Sequence, residues 1–488
     1  MSIINNNLLL AGTDEGYNLT RSLRFRSSAS AHLGRTFSSA GNRKTWTLSF
    51  WVKRGSLGSN QNILVSGPAN TNDATFANIG FSSANAFTFT AYSVAWRTTT
   101  QVFRDPSAWY HIIIAWDTTQ STAADRVKIY VNGSQVTAFS STFDPSLNFD
   151  GAINQAATSY ISLAHLSYGY FDGYLAEAHL IDGQALTPSS FGETDLTTGV
   201  WKPKRYAGTY GTNGFYLPFT DNSALTTSSN AGLGKDFSGN GNYWTTNNIS
   251  ITSGVTYDSM TDVPTLTSAT AANFAVLNPL DTGSNITLSA ANLQTSQGAS
   301  AGISKGTIGV SSGKWYWEVT LLSGTTSVGI ANVTSSPTQN YVGQSSTSYG
   351  YYSGNGNKYN NASGSSYGAS YTTNDVIGVA LDLDAGTLVF YKNNSSQGTA
   401  FSSLSGTFVP AIGNDQSNTT AFNAGQRPFA YTPPSGFVAL NTFNLPTSTI
   451  VKGNTVMDAT IYSGDNASPR SITNAAGFKP DLVWVKSR

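Results

Sequence analysis

Through most of the chain, apolar and polar residues alternate with a period of two. This is the spacing of a β-strand, whose successive side chains point to opposite faces. The segment TWTLSFWVK places Trp46, Leu48, Phe50 and Val52 on one face and Thr45, Thr47, Ser49 and Lys53 on the other. KWYWEVTL repeats the pattern with Trp315, Trp317, Val319 and Leu321. In RVKIYVNGSQV, Val127, Ile129 and Val131 run into Asn132-Gly133, a pair that accepts the positive φ of a type I′ turn, so a hairpin is predicted there. DVIGVALDLDAGTLVFYKNN predicts a second hairpin, with Ile377, Val379, Leu381 and Leu383 on one face and a turn at Asp384-Ala385-Gly386. Gly, Asn, Asp and Ser punctuate these segments, and no long stretch carries a helical period. The expected class is all-β.

The strand-like segments fall into blocks. The expected division is an N-terminal segment at 1–19, a first sandwich at 20–200, a bridging segment at 201–280, a second sandwich at 281–446 and a final stretch at 447–488. The bridge is rich in Gly, Asn, Ser and Thr, yet it contains NGFYLPF and Trp244. A structureless connection of that length is uncommon in compact proteins, so it is expected to lie against one or both sandwiches. The final stretch is too short to close a sandwich alone. Its LVWVKSR (482–488) echoes SFWVKRG (49–55), as at the start of a further β module or in a strand-exchanging tail.

Composition narrows the functions. With 26 Lys+Arg and 26 Asp+Glu, the formal net charge is zero, and charged residues make up 11% of the 488, against roughly 25% in ordinary soluble proteins. Without a basic surplus to neutralise phosphates, nucleic acid is not an expected partner. Zero cysteines exclude disulfides, thiolate metal sites and cysteine nucleophiles, and the four His (His32, His111, His165, His179) lack metal-site spacing. The amino terminus does not read as a secretory signal, and no apolar run approaches a membrane span, so membrane insertion is not expected. Abundant Gly, Tyr, Ser, Thr and Asn nevertheless give the chain an extracellular character. Folding in a bacterial cytoplasm, assembly into a virus particle and release by lysis would reconcile the two.

Segments along the chain support three resemblances. WTLSFWVK (46–53), WYHIIIAW (109–116), KIYVNG (128–133) and DGYLAEAHLIDGQAL (172–186) follow the order of the laminin-G-like, concanavalin A-type jelly roll, a glycan- and protein-binding sandwich. GKWYWEV (313–319), SVGIA (327–331), DVIGVALDLDAGTLVFYKN (375–393) and FVPAI (408–412) resemble a SPRY domain, a related sandwich that presents loops to a partner. Together the two resemblances imply an all-β chain of tandem antiparallel jelly-roll sandwiches joined by an extended bridging segment. GKDFSGNGNYW (234–244), YDSMTDVPT (257–265) and GQRPFAYTPPSGF (425–437) are similar to connectors of marine tailed-bacteriophage proteins, which implies a tail fibre or other virion appendage.

Glucanases share the concanavalin-type sandwich, so a polysaccharide depolymerase is the enzymatic alternative. That chemistry requires two carboxyl groups about 5–9 Å apart, which that fold usually carries on one strand as E-x-D-x-E. The four Glu (Glu15, Glu177, Glu193, Glu318) form no such motif. Glu177 shares a strand face with His179, but a lone carboxylate does not suffice, and Glu177 reads as a structural acid. Asp382 and Asp384 flank a hairpin turn, and Asp150 and Asp172 each precede a glycine; all four read as turn chemistry. Calcium is the one cofactor the laminin-G resemblance leaves open, with no clear ligand pattern, and none other is expected.

The candidate ligand-binding residues are Tyr341, Tyr349, Tyr351, Tyr352, Tyr359, Tyr367 and Tyr371, interleaved with Ser, Asn and Gly in a region that forms variable loops in SPRY domains. Tyrosine is rigid and amphipathic, suited to stacking on sugars or protein surfaces. Inward strand positions or trimer contacts are the competing reading for several of them. The expected function is a non-enzymatic tail fibre-like adhesin on the virion exterior, favoured as a homotrimer, contacting other virion proteins and host surface glycan or protein. A structural decoration or collar protein is the other non-enzymatic alternative.

Overall fold

The computed structural model describes residues 16–225, 228–460, 462–464, 469–474 and 477–485. The architecture is all-β, with antiparallel sheets and, among the described residues, helical structure limited to single 3-10 turns.

The first sandwich packs two sheets face to face. One runs, in spatial order, Ser134–Gln135, Val127–Val131, Trp109–Asp117, Thr45–Arg54, Gly173–Asp182, Ser22–Phe25 and Ser259–Met260. The other runs Phe139–Thr142, Ala95–Val102, Ala86–Ala91, Ala77–Phe81, Gln61–Ser66, Thr158–Ile161, His32–Thr36 and Thr245–Asn247. Between them Trp46, Leu48, Phe50 and Val52 form one core with Ile112, Ile114, Phe87 and Trp96, as the alternation requires. Trp46 stacks on Trp116 at a ring separation of 5.7 Å. The Asn132-Gly133 turn has φ of 48° and 82°, the type I′ geometry. A Cβ on Gly133 would lie 2.6 Å from the Trp201 ring, so glycine is needed there for space as well.

Both sheets receive strands from beyond residue 200. Phe215–Leu217 pairs with Gly173–Asp182, Thr245–Asn247 with His32–Thr36, and Ser259–Met260 with Ser22–Phe25. Trp244 is completely buried and meets Phe37 and Phe215 edge-on.

The second sandwich has one sheet ordered Leu277–Thr282, Ser304–Gly306, Phe408–Ile412, Ser327–Asn332, Ser348–Tyr352, Asn357–Asn360 and Ser363–Ser366. Its partner sheet runs Ile286–Ser289, Gln294–Gln297, Asn418–Asn423, Lys314–Gly324, Val376–Asp382, Thr387–Lys392 and Ser395–Phe401. Trp315, Trp317, Val319 and Leu321 point inward onto Val328, Ile330, Ile377 and Val379.

The polar face of one central strand is covered by protein. The outer face of Thr45–Arg54 is polar in sequence, yet Thr47, Ser49 and Lys53 are all inaccessible to solvent. Trp51, Trp109, Tyr174 and Ala176 from that face join Met260, Val263 and Phe274 in the same apolar cluster as the core of the second sandwich. The strand is buried on both sides because another layer of protein covers it. Asp172 is likewise no turn residue. It is fully buried, accepts from Ser27 Oγ at 2.8 Å and from the Ala291 amide at 2.5 Å, and so ties the first sandwich to the second.

The expected N-terminal segment lies outside the described residues as far as residue 15, Glu15 included. In the final stretch Leu482, Val483 and Trp484 are exposed, and 486–488 lie outside the described residues.

Candidate functional site

The seven candidate tyrosines separate into two groups. The hairpins Ser348–Tyr352, Asn357–Asn360 and Ser363–Ser366 form the free end of one sheet of the second sandwich. Alternation along Ser348–Tyr352 sends Tyr351 inward. It is completely buried, meets Tyr371 at 4.9 Å and Phe390 at 5.2 Å, and donates its hydroxyl to the Ala369 carbonyl. Tyr371, also buried, donates to the Tyr351 carbonyl at 2.7 Å. Tyr367 seals this cluster, giving its hydroxyl to the Gly398 carbonyl at 2.6 Å and receiving the Phe390 amide at 3.2 Å. Tyr349 packs edge-on to Phe401 and Phe408 at 5.1 and 5.9 Å. Burial pushes the Tyr351 and Tyr367 phenols up to about 12. Tyr349, Tyr351, Tyr367 and Tyr371 are therefore packing residues. Their sequence spacing did not distinguish them, because strand alternation in a tyrosine-rich segment assigns aromatic rings to both faces.

The other three come together at the surface. Tyr359 sits between Tyr341 and Tyr352, edge-to-face with each at 5.5 and 6.2 Å. All three are half-buried, and Asn355 donates to the Tyr359 hydroxyl at 3.4 Å. The Tyr359 ring lies across the neighbouring Gly364, where a Cβ would fall 2.6 Å from the ring. Tyr359, nearly perpendicular to both other rings, completes a surface that presents apolar faces beside the Asn355 amide. That surface suits a polyhydroxylated ligand or a protein loop.

A second concave surface lies on the first sandwich and was not legible in sequence. His32–Thr36, Thr158–Ile161 and Thr245–Asn247 floor an open groove of about 390 Å³ lined by His32, Arg35, Thr36, Tyr160, Tyr243 and Asn247. Arg35 is held by the Tyr243 carbonyl at 2.8 Å and by Asn242 Oδ1 at 2.5 Å. The strand containing Thr245 and Asn247 comes from the bridging stretch, so the groove needs residues more than 200 positions apart in sequence.

The residues with most obvious chemistry are engaged elsewhere. Glu177 and His179 do share a face, 3.5 Å apart. Glu177 lies at an irregularity in the pairing with Thr45–Arg54 and has φ of 53°, which costs about 1–3 kcal/mol in a non-glycine residue. Its carboxylate accepts from the hydroxyls of Tyr17 and Tyr216, and its partners are phenols and an imidazole rather than a second carboxylate. Burial, then the Glu177 charge, pushes both phenols well above their ordinary range.

Ser49 Oγ lies 2.8 Å from His111 Nε2, which superficially resembles a nucleophile–base pair. Trp201 Nε1, which can only donate, approaches His111 Nδ1 at 2.9 Å. Nδ1 must accept, so in the neutral ring Nε2 carries the proton and donates to Ser49. The imidazole therefore cannot take the serine proton. Burial, reinforced by nearby His179, holds His111 down to about 3. This pair is a structural hydrogen bond.

Asp382 caps its own turn, accepting the amides of Asp384 and Ala385 at 3.1 and 2.9 Å, and Asp384 accepts the Gly313 amide at 2.7 Å. Among the described residues no three His, Asp or Glu side chains converge as a metal-binding group.

Comparison with known proteins defines the class. Residues 27–190 match the family model of the concanavalin A-like lectin/glucanases superfamily, and residues 314–427 match that of the SPRY domain. The chain thus contains a laminin-G-like, concanavalin A-like domain followed by a SPRY domain. Curated relatives include the dual specificity protein kinase splA of Dictyostelium discoideum, 38% identical over 106 residues, which cover 20% of this chain and 4% of the kinase. The ATP-dependent RNA helicase DDX1 of Xenopus laevis is 28% identical over 221 residues, covering 43% of this chain and 28% of the helicase. The chain therefore spans only a small part of these relatives. Among solved structures, the SPRY domain of human HERC1 is 22% identical with a TM-score of 0.27, covering 30% of this chain and 96% of that one.

Proposed function

We propose that this protein is a non-enzymatic adhesin of a bacteriophage virion, a tail fibre-like appendage that recognises glycan or protein on the host surface. The laminin-G-like and SPRY domains are both of a type that serves as binding or adhesion modules. The single observation that carries the reading is the surface cluster of Tyr341, Tyr352 and Tyr359. These are aromatic rings left half-open at a sheet's free end, while their neighbours in sequence are consumed by packing.

The mechanism is multivalent recognition. Shallow sites bind weakly, and repetition in a homotrimer raises avidity through effective concentration. The near absence of surplus charge suppresses indiscriminate adhesion to anionic envelopes. No cofactor takes part, the outer part of the virion is the location, and other virion proteins are the second set of partners.

The test is size-exclusion chromatography with light scattering of the protein mixed with candidate host surface polysaccharides. Co-elution with an intact polymer, lost in Tyr359→Ala, supports the adhesin. Shortening of the polymer would replace this reading with a depolymerase. Absence of binding across a broad panel of glycans and host envelope proteins would transfer the role to virion structure.

A further inference from the structure

The contact between the sandwiches contains an arrangement that neither ligand recognition nor ordinary packing requires. Lys53 Nζ lies 2.7 Å from Asp262 Oδ2, 2.7 Å from Asn273 Oδ1 and 3.0 Å from the Phe274 carbonyl. The Lys53 and Asp262 side chains have no solvent exposure. The other Asp262 oxygen accepts the Trp109 indole at 3.0 Å, and the Tyr174 ring lies 5.7 Å from Nζ. Asn273 is oriented by its own donation to the Ser107 carbonyl at 2.7 Å. A solvent-excluded amine and carboxyl group thus meet a half-buried carboxamide beside the Trp109 and Tyr174 rings, where fixed orientation replaces chance encounter and raises the effective concentration of reacting groups.

We propose that Lys53 and Asn273 become joined by a self-catalysed isopeptide bond, with Asp262 as the proton shuttle. Asp262 takes a proton from the Lys53 ammonium, freeing its lone pair. Burial favours this neutral pair, since it lowers the affinity of the lysine for its proton and raises that of the carboxyl group. Nζ then bonds to Cγ of Asn273 while the Cγ–Nδ2 bond breaks. Nδ2 leaves as ammonia, keeping its two hydrogens and gaining one that originates on Nζ and passes through Asp262. The carboxyl group finishes as it began after the second Nζ proton is released, and nothing is oxidised or reduced.

The bond would join residues 220 positions apart. It would clamp the central strand Thr45–Arg54 of the first sandwich to the stretch that enters the second at Leu277–Thr282. Tension that parts hydrogen-bonded sheets would not part the two sandwiches there.

Intact-mass spectrometry of the full, folded chain tests this directly. The expected mass is lower than that of the processed sequence by one ammonia, and digestion should yield a branched peptide linking Lys53 to Asn273, with no tryptic cleavage after Lys53. Asn273→Ala and Asp262→Asn, each checked for folding by circular dichroism, should return the unlinked mass. A wild-type chain at the full sequence mass, giving separate unmodified peptides for Lys53 and Asn273, would overturn the proposal and leave a plain buried ion pair. Because the readout is covalent mass, it is independent of whether any glycan is bound.

Discussion

Arg24 donates through Nε to Asp258 at 2.9 Å with both side chains wholly excluded from solvent, joining the strand Ser22–Phe25 to the residue that leads into the edge strand Ser259–Met260. Arg26 grips the same carboxylate through both oxygens at 2.9 Å, and the Ser250 amide adds a bond at 2.9 Å. A carboxylate between two guanidiniums is stable in a dry site because every lone pair is occupied. Asp258→Asn leaves Arg24 buried without its counter-charge and should cost about 3–5 kcal/mol. Urea unfolding of the purified variant measures it; a loss below about 1 kcal/mol would show that water reaches the pair.

The two groups of tyrosines should behave oppositely. Tyr351→Ala opens a cavity beside Phe390 and should destabilise the chain by about 3–5 kcal/mol. Tyr359→Ala, at the surface, should change stability by less than about 1 kcal/mol while weakening ligand binding by more than about tenfold. Paired thermal melts and binding isotherms check both. Equal effects on stability would mean that Tyr359 is packing, not recognition.

His111 gives the stability a defined acid dependence. In the unfolded chain it takes up a proton near its ordinary 6.5, whereas burial and His179 delay uptake in the folded protein to about 3. Between these values the unfolded state holds more protons, so this contribution is complete above the window and is lost as pH falls through it, at roughly 1.4 kcal/mol per unit. Denaturant melts from neutral pH downward should show that slope, and His111→Gln should flatten it even where its absolute stability is lower.

On the proposed non-enzymatic reading, Glu177 is an anchor for the Tyr17 and Tyr216 hydroxyls. Glu177→Gln keeps the shape but presents an amide N–H₂ to two phenol donors, so it should cost about 1–3 kcal/mol. Polymer length in mixtures with host polysaccharide should be the same with either protein. Cleavage by the wild type that disappears in the variant would assign Glu177 a catalytic role.

Much of the molecule is written in local pattern. Trp46, Leu48, Phe50 and Val52 face the first core, and Trp315, Trp317, Val319 and Leu321 face the second, as period-two alternation requires. Asn132-Gly133 turns where its tolerance of positive φ predicts. The tyrosine-rich segment was also visible. Its division was not, because whether Tyr351 or Tyr352 points inward depends on which sheet covers the strand.

What the sequence determined by itself is therefore the class of secondary structure, the strand faces and the order of the two domains, since each follows from neighbours within a few residues. Tertiary structure alone decided the fate of the polar face of Thr45–Arg54, the groove that joins Tyr160 to Tyr243, and the meeting of Lys53, Asp262 and Asn273. These depend on segments about 80 to 220 positions apart, brought together by burial of apolar surface that no local period encodes.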